Sequence, residues 1–207
     1  CGNGTNTNIN TPAHLAGLAG VVKVASGEGH SLILKSDGTV WACGVTTNGQ
    51  FGNGMLTDSN VPVQCSITNV FDIAVGSLHS VFLKADGTVW TCGYNLYGQL
   101  GLGFSNTSPN ALPAQVDTIT NGIAVIAGDQ GTMVVTADGS TGYYGEDGGT
   151  NCVYKFVADT PGDFTAGKVF VLKMDLDLSN DEPSSATATW VLVPNTTPAD
   201  RNNIRSV

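Results

Sequence analysis

The sequence predicts an all-β chain built from small antiparallel sheets that repeat. Three observations predict it. A long stretch returns 49 residues later, each copy holds an Asp-Gly turn between two short apolar runs, and helical periodicity is scarce. Gly27, His30, Ser31, Asp37-Gly38-Thr39-Val40-Trp41 and Cys43-Gly44 return as Gly76, His79, Ser80, Asp86-Gly87-Thr88-Val89-Trp90 and Cys92-Gly93. A period of this length marks a solenoid, a propeller or an array, in which each unit buries its apolar face against its neighbour.

The elements follow in order. Residues 21–25 and 70–74 are rich in β-branched and aromatic side chains and read as strands. Residues 31–35 and 80–84 are short apolar runs, followed by Asp37-Gly38 and Asp86-Gly87. Such a pair reads as a two-residue turn that accepts positive φ. Residues 39–42 and 88–91 then return as strands. Next come Asn48-Gly49-Gln50-Phe51-Gly52-Asn53-Gly54 and its counterpart Tyr97-Gly98-Gln99-Leu100-Gly101-Leu102-Gly103, with Pro62 and Pro113 at similar offsets. The chain opens inside this half of a unit, because Cys1-Gly2-Asn3-Gly4 aligns with Phe51-Gly52-Asn53-Gly54 and Pro12 with Pro62. Residues 12–18 are the one stretch that reads as a short helical turn.

A third copy starts near Ile119 and is degraded. Ala127-Gly128 matches Val75-Gly76, and Ala137-Asp138-Gly139 matches Ala85-Asp86-Gly87. Gly131 stands where His30 and His79 stand, Gly142 replaces the Trp and Tyr144 the Cys. After about Gly149 the pattern is gone. Small antiparallel sheets joined by Gly/Asn loops are what propeller blades need.

The motif set is Gly-x-x-His-Ser, Asp-Gly-x-Val-Trp, Cys before Gly, and Asn-x-x-Gly-Gln-Leu-Gly. It resembles the repeat of the regulator of chromosome condensation family. The second unit matches best, through Asn95, Gly98, Gln99, Leu100 and Gly101; the first has Thr47 at the second loop position and Phe51 for Leu. The resemblance covers roughly residues 1–150 and implies a β-propeller, usually of seven blades. Seven blades of about 50 residues need about 350. The expectation is therefore a partial β-propeller of about three repeats: units 21–66 and 70–116, a degraded unit 122–149 and a half unit 1–18. Three blades leave an open sheet face, so the expected chain is part of a longer polypeptide or of an assembly whose neighbouring subunits complete it.

Residues 151–207 read as a separate small β module. Residues 169–178 alternate, with Phe170, Leu172, Met174, Leu176 and Leu178 on one face. Residues 186–193 alternate again, with Ala188, Trp190 and Leu192 together, and 153–157 is a third candidate strand. Residues 194–207 read as an extended terminus suited to docking on a partner.

Charged residues make up 12% of the chain, about half the usual share. Eight Lys and Arg against 17 Asp and Glu give a net charge of −9 with no basic cluster. Nucleic-acid binding therefore lacks its electrostatic footprint. No apolar stretch approaches the length of a membrane span. Low charge with abundant Thr and Asn suggests an extracellular, cell-surface or virion setting.

Candidate chemistry is sparse. Cys43 and Cys92 share one repeat position and read as small buried hydrophobes. Cys1, Cys65 and Cys152 have no partner by spacing, and no zinc pattern exists among the five. His30 and His79 fall on successive blades, so they read as structural, each bonding between blade strands. His14 is a lone loop residue. Asp37 and Asp86 belong to turns. Asp175, Asp177, Asn180, Asp181 and Glu182 read as a solvated acidic edge without the glycine of a calcium loop. Gly44 and Gly93, Gln50 and Gln99, and Trp41 and Trp90 are structural repeat positions, the tryptophans packing between blades. No catalytic residue, metal or cofactor is expected.

The loop of Tyr94, Leu96 and Tyr97 is the candidate binding element. Its first-unit counterpart is Val45, Thr47 and Asn48, and a loop that differs between like repeats is where specificity is placed. Tyrosine is a favoured interface anchor. Two functions fit. One is a non-enzymatic binding or assembly protein, such as a phage tail or adsorption component. The other, which the resemblance implies, is a soluble propeller regulator that grips a GTPase or inhibits an enzyme.

Overall fold

The computed structural model describes residues 2–7, 10–11, 15 and 17–137, and the backbone of the strands beyond. Among them no helix is present, so none is long and apolar enough to cross a membrane. The pattern at 12–18 and the candidate strand at 153–157 fall largely or wholly outside the described residues, as do Cys1, His14, Cys152 and most of the acidic edge.

The first sheet takes β1 (Val21–Ser26), β2 (His30–Lys35), β3 (Val40–Gly44) and β4 (Ser59–Gln64) in chain order. The second repeats it with β5 (Val70–Val75), β6 (His79–Lys84), β7 (Val89–Asn95) and β8 (Asn106–Gln115). The third comprises β9 (Gly122–Ala127), β10 (Gly131–Thr136), β11 (Thr141–Asp147) and β12 (Thr150–Asn151). Each is an antiparallel meander, the form of a propeller blade. The irregularity between Val21 and Lys23 recurs between Val70 and Asp72, so even the bulge belongs to the repeat.

Strands β4 and β8 are not legible in the sequence, because Pro62, Pro109 and Pro113 interrupt them. Both lie at the outer edge of their sheet, where a residue without an N–H is tolerated. The turns also differ from expectation. Gly38 N–H donates to Lys35 O and Lys35 N–H to Thr39 O, with the same pair repeated at Gly87, Lys84 and Thr88. The loop is thus three residues long, and only its glycine takes positive φ, +77° at Gly38 and +85° at Gly87. Asp37 keeps an ordinary backbone because its carboxylate accepts from Thr39 N–H and Oγ–H at 3.0 and 2.6 Å. Asp86 does the same for Thr88.

The core lies between sheets. Leu32, Leu34, Val40 and Ala42 of the first blade pack with Ile73, Phe82 and Cys92 of the second. Val81, Leu83 and Val89 of the second pack with Val125 and Val134 of the third. Each such Leu, Ile, Val or Phe side chain contributes about 1.5–3 kcal/mol on burial, so a blade draws its stability from its neighbour.

The chain divides into one unit of Cys1–Glu146 with Asn151–Lys155, and another of Asp147–Thr150 with Phe156–Val207. In the latter, β13 (Val169–Leu176) pairs with β14 (Ser184–Val191), placing Phe170, Leu172 and Met174 opposite Trp190, Ala188 and Ala186. Within the stretch expected to be an extended terminus, β15 (Arg205–Ser206) pairs with Val191 and Trp190.

Candidate protein interface

The two histidines do not converge on one site. Each locks its own blade to the next. His30 Nε2 lies 2.9 Å from Ser80 Oγ, and Ser80 donates its hydroxyl proton to Gln50 O at 2.6 Å. The second junction repeats this: His79 Nε2 is 2.9 Å from Thr132 Oγ1, which donates to Gln99 O at 2.7 Å. A hydroxyl that spends its proton on a carbonyl must accept from the ring, so both imidazoles carry the proton on Nε2 and none on Nδ1. Burial lowers both pKa values from 6.5 to about 4, and at His79 the nearby His30 adds to this. Neutral rings suited to one fixed bond are what such a latch needs. The bonds run between strands of neighbouring blades. The third blade has no ring to offer, because Gly131 faces Gly145 as His30 faces Gly44 and His79 faces Gly93.

Those facing glycines are required. Gly44 and Gly93 take φ of +108° and +112°, and a Cβ there would run into the backbone of Gly29–His30 or Leu78–His79. Gln50 and Gln99 are fully buried, and each also accepts a backbone N–H through Oε1, from Asn48 at 2.9 Å and Tyr97 at 3.0 Å. Trp90 packs against the first core, with Lys84 Nζ 5.2 Å from its ring centre. Trp41 is half-buried, with Lys35 Nζ 6.0 Å from its ring centre. Cys43, Cys65 and Cys92 are buried free thiols. Burial pushes Cys65 up to about 12 and holds Cys92 well above the ordinary thiol range, so they behave as packing groups. Among the described residues no three His, Cys, Asp or Glu side chains gather as metal ligands.

The Tyr94 loop is built differently. Tyr94 and Tyr97 meet edge to face, with ring centres 6.2 Å apart. Both are half-buried, while Leu96 between them is 38% exposed. Asn95 fixes the loop from beneath: its Oδ1 accepts from Leu100 N–H at 3.1 Å and its Nδ2 donates to Phe104 O at 2.8 Å. In the first blade Thr46 takes the Asn95 place, its Oγ1 accepting from Phe51 N–H at 3.1 Å. Sequence reading does not single out Thr46; the Phe51-for-Leu100 alignment five residues on marks it. Phe104, 54% exposed, extends the apolar surface of the second blade beyond the loop.

Comparison with known proteins agrees with this architecture. A model of the regulator of chromosome condensation (RCC1) repeat matches residues 37–83 and 86–135, and a second model of that repeat matches 21–50 and 72–99. Among solved structures, yeast RCC1 (Prp20), in its complex with Kap60, is similar at 24% identity and TM-score 0.53 over 60% of this chain. Prp20p of Saccharomyces cerevisiae, described with its binding to Gsp1p and histones, is similar at 24% identity and TM-score 0.54, also over 60%. Human WBSCR16 is similar at 21% identity and TM-score 0.59 over 83%. The matches span 29%, 30% and 47% of those three chains. At such identities the structures speak for the fold, an RCC1-type propeller present here in part. The repeat matches, the blades and the latch residues together place this chain in the RCC1 repeat family.

Proposed function

We propose that the chain is a non-enzymatic, protein-binding part of an RCC1-type propeller, of the soluble-regulator kind, and that it grips its partner through Tyr94, Leu96 and Tyr97. The observation that carries this is the preset loop. Two tyrosines are fixed against each other and flank an exposed leucine, on a base that Asn95 and Gln99 hold by hydrogen bonds. A preordered aromatic anchor binds with little loss of side-chain entropy. The partner class favoured is a GTPase, on the strength of the similarity to Prp20p, whose structure is described with its binding to Gsp1p and histones. The low charge still suits a surface or virion assembly role, but the regulator reading draws on both the fold and the loop.

The test is binding of Gsp1p and of histones to the full chain and to a Tyr94→Ala, Leu96→Asp, Tyr97→Ala variant. Loss of two hot-spot anchors weakens binding about 100-fold or more. Binding of neither probe overturns the regulator reading, and equal binding by the variant overturns the loop.

A further inference from the structure

The outer edge of the second blade carries a groove that the Tyr94 loop does not use. Its volume is about 560 Å³, within the range of ligand sites. Leu102, Phe104, Leu112 and Ala114 give it an apolar lining, and Gln115 and Asp117 stand beside them. Phe104 and Leu112 are 54% and 58% exposed, a large apolar surface to leave in water.

The groove departs from the repeat. Trp41 pairs with Gln64 as Trp90 pairs with Gln115, which fixes the alignment of the outer strands. Asn53, Met55, Val61 and Ser66 of the first blade then hold the places of Leu102, Phe104, Leu112 and Asp117. The second blade thus enlarges the apolar lining and sets a carboxylate where the first has a hydroxyl. The backbone of β8 does not invite another strand. Pro109 and Pro113 have no N–H, and Ala111 O already accepts from Gly54 N–H at 2.9 Å. Recognition at this edge falls to side chains.

Charge narrows the occupant. Asp117 is exposed, and among the described residues no Lys or Arg pairs with it. Lys23 and Lys35 pair with Asp72 and Asp37, and Lys84 lies over the Trp90 ring. The net charge of −9 draws a cationic segment toward the chain.

We propose that this groove docks an extended segment of a protein partner in which an aliphatic side chain stands next to a lysine or arginine. The aliphatic group lies on Phe104 and Leu112, and the cation meets Asp117. This surface is separate from the Tyr94 loop, and the proposal stands whether or not that loop binds a partner.

The probe is the peptide acetyl-Leu-Arg-Leu-Arg-amide, titrated into the full chain at low salt while backbone amide NMR signals are followed. The expected shifts centre on Phe104, Leu112 and Gln115, with a Kd of about 1 mM or below, as suits a short flexible ligand. Peptides with Glu for Arg, or Asn for Leu, bind at least about tenfold more weakly. Asp117→Asn weakens binding about two- to fivefold and reduces its salt dependence. Leu112→Asn weakens it about tenfold. Both residues are exposed, and unchanged remote amide signals show that each variant keeps the fold. Tyr94→Ala leaves the affinity as it is. No binding at about 5 mM peptide overturns the proposal. So do shifts centred on the Tyr94 loop, equal affinity for the Glu peptide, or indifference to Asp117→Asn and Leu112→Asn. Sedimentation of the chain alone tests the other occupant. A monomer agrees with the proposal; a dimer dispersed by Leu112→Asn names a second copy and overturns it.

Discussion

His30 and Ser80, 50 positions apart, meet at 2.9 Å across the junction of two blades, and the serine passes its own proton to Gln50 O. Three groups from two blades are thereby satisfied by two bonds in a buried place. His79, Thr132 and Gln99 repeat the arrangement one blade on. The serine-to-threonine exchange preserves the hydroxyl.

Removing the hydroxyl between them leaves a buried ring N–H unpaired. Ser80→Ala is expected to cost about 1–3 kcal/mol, because the ring N–H loses its partner and Gln50 O keeps only the weak Cys92 Sγ donor at 3.5 Å. Ser80→Thr should cost less, since the second junction already uses threonine. His30→Ala combined with Ser80→Ala should cost less than the sum of the two single changes. Urea unfolding of the four proteins reads the cycle, and strict additivity would show that the two side chains do not couple.

The same histidines make stability depend on pH. Both have folded-state pKa values lowered from 6.5 to about 4 by burial. As pH falls the unfolded chain takes up these protons first. Stability is therefore full above about pH 6.5 and declines until about pH 4, where the folded rings protonate as well. The shift corresponds to on the order of 3 kcal/mol for each ring. Asp37 and Asp86 act in another window. Their pKa values are lowered by hydrogen bonds from Thr39 and Thr88, so their contribution is present above pH 3.8 and is lost below it. Unfolding free energy measured from pH 7 to 4.5 isolates the histidines. His79→Gln should flatten that slope by about half, and an unchanged slope would mean that the rings titrate alike in the folded and unfolded chains.

Much of this is legible in the chain because the repeat displays its constraints twice. His30 and His79 share one position, and so do Asp37 and Asp86, so the repeat itself argues against a convergent active site. The partner of each histidine is not legible. Repetition shows which positions are equivalent, but not that the ring of one blade reaches the second strand of the next. The outer strands are hidden by Pro62 and Pro113, which break a central strand but suit an edge. The turn type is ambiguous because Asp-Gly serves both two-residue and three-residue loops. The choice falls to the Thr39 and Thr88 bonds, which pin the aspartates. The Tyr94 loop can be singled out by its difference from the first unit. Its rigidity cannot, since that comes from Asn95 reaching to Phe104 O and Leu100 N–H.

Two glycines at one repeat position separate packing from propensity. Gly76 follows β5 at a point where a Cβ would collide with the His79 ring and stand 2.6 Å from Gly128 O. The obstacles are a ring held by its own hydrogen bond and a neighbouring backbone, and neither can yield cheaply. Gly76→Ala should therefore cost roughly 2–4 kcal/mol, as for overpacking of a tight core, and should break the His79 bond as well. Gly128 is the same position in the third blade, but it is exposed, and the nearest atom to a Cβ there is Gly131 O at 4.0 Å. Its backbone does not take a left-handed φ. Gly128→Ala should be neutral or stabilising by up to about 1 kcal/mol, through the entropy that the unfolded chain loses. The two variants are compared by urea midpoint at pH 7. Equal effects would mean that the blades are not held at closest approach by Gly76. A large loss confined to Gly76→Ala would place a tight contact between blades beside the histidine latch, where one methyl group is enough to disturb the junction.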